Sequence, residues 1–189
     1  MTNNEQLKQD FAYIRAAAER SVTIPVPAIY LLWALLGLCG FAMVDFVDDS
    51  RWVGIYWLFA GPIGFALSFW LGGRAERDAG RSSREMGVRQ GLHWFAFMAT
   101  GVLGLALVHA GHLAWQGFGS LWVLLLALTY FHAGLHLERR LLPIGIVLGA
   151  GYLVTIWVPS FGWTTAGVML AIALVAGALR GAPRHAATD

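Results

Sequence analysis

The residues best suited to chemistry in this chain are histidines. His93, His109, His112, His132 and His136 fall in or beside two long apolar stretches, where ionisable groups are costly and mark functional candidates by default. His132 and His136 are four residues apart, so on a helix both imidazoles leave the same face. Thr129 sits three residues before His132 on that side. With a rise of ~1.5 Å per residue, and the two stretches centred near Gly101 and Leu128, His93 and His136 each lie ~12 Å from mid-depth, and His132 ~6 Å. If the stretches form an antiparallel hairpin, His93, His132 and His136 converge. Neutral imidazoles at one point suit a transition metal such as Zn or Cu, or the axial positions of a haem. The competing use is structural: hydrogen bonds to Thr129, Tyr130 or backbone carbonyls between helices.

A second set lies at the other end of the same pair. His109 and His112 are three apart, and Asp45, Asp48 and Asp49 fall at the same level in the preceding hairpin. Nitrogen and oxygen donors of this kind suit a divalent metal or a pH-responsive pair, against the plainer reading of solvated interfacial residues. Other chemistry is sparse. The chain has no GxSxG, P-loop or dinucleotide-binding glycine pattern. No acidic residue lies deep in an apolar stretch, which argues against a carboxylate-coupled cation pump. A single cysteine, Cys39, excludes an internal disulfide and a CxxC redox pair.

The elements that must position these residues follow from composition. Of 189 residues, 58% are hydrophobic and 13% charged, against about 45–50% and ~25% in a soluble domain. The mean hydropathy is +0.61. Six apolar stretches run at about 28–44, 53–72, 91–111, 119–137, 142–158 and 164–179. Each approaches the ~17–25 residues that cross a bilayer as a helix, and the last is the shortest. Their runs are continuous, as at Leu121–Leu128, so neither an amphipathic soluble helix nor an alternating barrel strand fits. The expected fold is an all-α integral membrane protein: a bundle of six transmembrane helices over 25–180, preceded by an amphipathic cytoplasmic helix over 1–24 and followed by a tail over 181–189. Thr2 with Glu5 forms a capping-box pattern, and Leu7, Phe11, Ile14 and Ala18 recur at helical spacing before Pro25 and Pro27.

Charge sets the orientation. Arg51 is the exception among thirteen Lys and Arg residues, and the others fall before the first stretch, between the second and third, between the fourth and fifth, and after the sixth. Positive segments stay inside, so both termini are expected in the cytoplasm of a multi-pass inner (plasma) membrane protein. The connection from Arg74 to Arg89 carries five arginines against Glu76, Asp78 and Glu85 and reads as a loop that attracts anionic lipid. It has no interleaved aromatics, so a nucleic-acid partner is not expected. Trp52, Trp70, Trp94, Trp115, Trp157 and Trp163 fall near stretch ends and read as interfacial anchors. Pro62 interrupts the second stretch, where a bend is expected. Gly145 with Gly149, Gly167 with Ala171, and Ala173 with Gly177 are small-xxx-small pairs expected to pack helices within the monomer. The inner ends of the second, fourth and sixth stretches resemble one another, in the manner of a repeated hairpin.

Three functions suit this sequence. The first is a non-enzymatic accessory, regulatory or sensing module with the lipid bilayer around it and a protein partner at the cytoplasmic face. The second is a metal- or haem-binding membrane protein using His93, His132 and His136, with His109 and His112 as the lesser set. The third is a small oligomeric transporter.

Overall fold

The computed structural model describes residues 26–80 and 84–181, together with Leu7 and Phe11, and every regular element among them is helical. Six helices follow in order: α1 (Pro27–Phe46), α2 (Ser50–Asp78), α3 (Arg84–His109), α4 (Trp115–His136), α5 (Leu141–Trp157) and α6 (Gly162–Gly181). All but α5 are long and apolar enough to cross a membrane. The expected capping box and most of the amphipathic segment over 1–24 lie outside the described residues, as does the tail from 182. Leu7 and Phe11 are helical and exposed.

The local signals that bound these helices are conventional. Asp49 precedes α2 and accepts from the Arg51 backbone N–H at 3.0 Å, a side-chain N-cap. Past α3, the His112 N–H donates to the Leu107 carbonyl at 2.9 Å and the Gly111 N–H to Val108 at 3.0 Å. This is the paired C-terminal motif that needs a left-handed residue, and Gly111 supplies it at φ 74°. Pro143 sits in the first turn of α5, where its missing N–H costs nothing.

Packing follows chain order with one break. α1 packs against α2 and α6, α6 against α5, α5 against α4, and α4 against α3, whereas among the described residues α2 and α3 are not in contact with each other. The continuous core comes from α1, α4, α5 and α6, with Ile144, Leu148, Leu174 and Val123 fully buried at its centre. α2 and α3 flank that core on α1 and α4. They leave Leu58, Phe59, Phe69, Phe95 and Leu103 exposed, an apolar surface far beyond what water tolerates on a monomer.

Close approaches are made where glycine removes a side chain. A Cβ on Gly145 would lie 2.5 Å from the Phe131 backbone nitrogen and 2.9 Å from the Ala127 carbonyl oxygen, so α4 and α5 meet backbone to backbone. Gly167 admits Phe41 of α1, and Gly177 admits Tyr30. These contacts are internal, as the spacing predicts for Gly145, Gly167 and Gly177. Gly149 is different: its missing Cβ faces open space, so Gly145 and Gly149 do not form one interface. On the flank, the Trp33 indole donates to Ser68 at 3.0 Å, and Ser68 in turn donates to the Gly64 carbonyl at 2.8 Å, fastening α1 to α2.

Three expectations are corrected. The Arg74–Arg89 stretch is mostly helix, because α2 runs 29 residues to Asp78 and α3 begins at Arg84. Arg74 lies 3.7 Å from Asp78 one turn on and 5.8 Å over the Trp70 ring, and both contacts favour helix beyond the apolar boundary. α5, at 17 residues, is the shortest helix rather than α6, which has 20. Trp94 and Trp163 are packing residues: Trp94 meets Tyr130 edge-on at 5.1 Å, and Trp163 meets Phe41 at 5.9 Å. Trp52, Trp70, Trp115 and Trp157 are exposed, as interfacial anchors are. α2 continues through Pro62 without interruption.

Candidate functional site

Two places on the molecule gather polar side chains. The first is the surface between α3 and α4. The two helices are antiparallel neighbours joined by a short turn at 110–114, and their register is set by tight aromatic–glycine contacts, Trp122 on Gly101 and Phe118 on Gly104. That register places His93 of α3 opposite Thr129 of α4. The resulting groove holds about 400 Å³ and is lined by His93, Thr100, Thr129, His132 and His136 among apolar neighbours. The three histidines therefore line one groove.

Their hydrogen bonds define the chemistry left to them. His93 Nε2 lies 3.0 Å from the Thr129 carbonyl oxygen, and His132 Nδ1 lies 2.9 Å from the Leu128 carbonyl oxygen. A carbonyl only accepts, so each of these nitrogens carries the proton and donates. In the neutral rings the lone pair then resides on His93 Nδ1 and His132 Nε2. His136 stacks beside His132, with ring centroids 6.5 Å apart and planes 13° from parallel. Among the described residues, no three His, Cys, Asp or Glu side chains are grouped to hold a metal ion. The groove lines the imidazoles along a surface without closing them round one point. Thr129 takes part through its carbonyl. Its hydroxyl donates within the helix to Leu125 at 2.7 Å.

Part of the second candidate set has structural partners elsewhere. His109 ends α3, His112 lies in the turn that caps it, and both are exposed. Asp45 accepts from the Thr164 backbone N–H at 2.6 Å, at the start of α6. Asp49 caps α2 and lies 3.9 Å from Arg51. Two of the three expected carboxylates thus have structural partners.

The other polar place lies in the connection from α4 to α5, just past the end of α4 that carries His136. Glu138 is half-buried there, close to the hydroxyl of Tyr30 on α1 and to Arg140. Burial pushes the Glu138 carboxyl above its ordinary value of 4.5, and the nearby Tyr30 hydroxyl and Arg140 guanidinium pull it the other way. The Tyr30 hydroxyl and Arg140 Nη1 are buried and have no partner within hydrogen-bond geometry among the described residues. Sequence reasoning passed over this cluster. Glu138 reads as one more charge in a short basic connection, and nothing in the local sequence links it to a tyrosine on the first helix.

Compared with known protein families, curated proteins and solved structures, the chain matches none.

Proposed function

We propose that the chain is an inner-membrane protein with six spans and cytoplasmic termini, acting as a non-enzymatic accessory, regulatory or sensing module through its basic face. Five of the helices have the length and apolarity for spans. α5, at 17 residues, is ~25 Å long by its rise and falls at the short end of the spanning range. The basic residues support the orientation, because Arg74, Arg77, Arg89, Arg139, Arg140 and Arg180 all fall at the ends of helices that share one side in an up-and-down chain.

One observation carries the non-enzymatic reading. Five hydroxyls within the helices are engaged with backbone carbonyls. Tyr56 donates to Leu36, Thr100 to Ala96, Thr129 to Leu125, Thr155 to Tyr152 and Thr165 to Phe161. Groups so engaged satisfy the helices in a medium without water and are not poised as nucleophile or base. At the basic end, by contrast, Arg140 Nη1 is buried without a hydrogen-bond partner among the described residues. The test is reconstitution of the purified full chain in liposomes. The vesicles are expected to stay as tight to ions and small solutes as empty ones, and no substrate is turned over. Protein-dependent solute flux would overturn this reading in favour of a transporter.

A second reading is favoured by the shared groove. His93 and His132 each keep one ring nitrogen lone pair, fixed by a carbonyl bond on the other nitrogen, and this arrangement orients imidazoles as ligands. Protein purified from membranes that carries a Soret band, or stoichiometric metal lost in His132→Ala, supports it. Unchanged metal content in His132→Ala rejects it.

A further inference from the structure

A small pocket of about 180 Å³ opens between the first turns of α5 and the last turns of α6. Its walls are Pro143 and Val147 on one side and Ala173 and Ala176 on the other, and Arg140 and Arg180 stand at its rim. The two arginines come from opposite ends of the chain segment that forms the α5–α6 hairpin. They meet because the helices are antiparallel, which brings the start of α5 beside the end of α6. The small residues of α6 make the hollow, and among the described residues no acidic side chain lines it, Glu138 lying near Arg140 but outside the lining.

The pocket thus pairs two cations with an apolar floor, at the level where the spans leave the hydrocarbon. Arg140 bears directly on what it holds. Its Nη1 is buried and has no hydrogen-bond partner among the described residues. A buried guanidinium N–H left unpaired is unfavourable, and the planar fork of N–H donors matches phosphate oxygens. The start of α5 adds the positive end of a helix dipole as a field only, because the Leu141 and Leu142 N–H groups already donate to Glu138 and Arg139 and Pro143 has none. Basic pockets between spans on the cytoplasmic side suit anionic lipid head groups.

We propose that this pocket binds the phosphate of an anionic phospholipid between Arg140 and Arg180, with the start of an acyl chain lying along Val147, Ala173 and Ala176. The site is separate from the histidine groove, and it stands whether or not the module reading above survives.

The test uses the full chain, delipidated in detergent and titrated with phosphatidylglycerol, phosphatidylcholine and inorganic phosphate under native mass spectrometry. Phosphatidylglycerol is expected to bind and phosphatidylcholine to bind much less. The R140Q/R180Q pair is expected to weaken phosphatidylglycerol about thirtyfold, the product of two surface-cation contributions, while R74Q/R77Q leaves it unchanged. Because Arg180 is exposed, R180Q alone tests the site if the double variant fails to fold, with a loss of about fivefold. Ala176→Leu fills the hollow and is expected to weaken phosphatidylglycerol without changing inorganic phosphate. Equal binding of the two lipids, or an unaffected R180Q, overturns the site. Inorganic phosphate binding as tightly as phosphatidylglycerol, with Ala176→Leu silent, overturns the lipid as its source.

Discussion

The carboxylate of Asp45, at the last turn of α1, accepts from the backbone N–H of Thr164 in the first turn of α6 at 2.6 Å. Helices normally take this bond from the residue just ahead of them. Here that residue is Phe161, held at φ 57° with a side chain that has no acceptor. Asp45 does the same work from another helix, and Phe46 packs against Phe161 at 5.5 Å beside it. Replacing Asp45 by Ala is expected to destabilise the protein by about 0.5–2 kcal/mol, the usual cost of losing an N-cap. Asp45→Asn, which keeps an acceptor oxygen, recovers most of it. Thermal unfolding of the two variants in detergent measures the difference.

Two glycines four residues apart on α5 are expected to respond in opposite senses. At Gly145 a methyl group would meet the Phe131 nitrogen at 2.5 Å, and backbone cannot move aside as a side chain can. Gly145→Ala is therefore expected to cost about 1–3 kcal/mol. At Gly149 nothing lies within 4 Å, and Gly149→Ala is expected to stabilise by about 0.5–1 kcal/mol through backbone entropy alone. Equal effects at the two sites would refute the backbone contact between α4 and α5.

Glu138 makes stability depend on pH. Its carboxyl is raised above 4.5 in the fold by burial. As pH climbs past 4.5 the unfolded chain gives up this proton while the folded chain still holds it, so unfolding gains and stability falls until the folded carboxyl ionises as well. The stability contributed by the protonated group is thus present at low pH and lost on the way towards neutrality. Tyr30 and Arg140 face the carboxyl and limit the fall. Glu138→Gln is expected to flatten this part of the profile, read as unfolding midpoint against pH. A steeper fall in the variant would sink the assignment.

His93 and His136 separate a bonded imidazole from an exposed one. His93→Leu removes the hydrogen bond to Thr129 and is expected to cost about 1 kcal/mol, typical of a side-chain bond between membrane helices. His136→Leu, at an exposed position, is expected to stay within about 0.5 kcal/mol. Chemical or thermal unfolding in matched detergent compares them.

The helices were legible in the sequence because hydrocarbon demands continuous apolar runs, and each expected run lies within or close to an observed helix. Their ends were less so. Hydropathy marks where lipid stops, not where a helix stops, so α2 passes Gly72 and continues to Asp78 on charged contacts. α6 starts at Gly162, ahead of the expected Thr164, where the Asp45 cap from α1 holds its first turn. The shared face of His132 and His136 followed from a four-residue spacing, and His93 joined them through the hairpin register. Which carbonyls they bond did not follow, because that depends on the rotation of α3 against α4. Tyr30 and Glu138 could not be paired from sequence, because packing of α1 beside α6 and the α4–α5 turn brings them together.

The break between α2 and α3 bears on how the chain could be divided. Every helix contact along the sequence is kept except the one spanned by 79–83, and α1 meets α6 instead. Severing the polypeptide at that connection would separate no two packed helices. A fragment ending at Gly80 and a second beginning at Arg84 would retain their mutual interface through α1 and α6, so two co-expressed pieces are expected to reassemble.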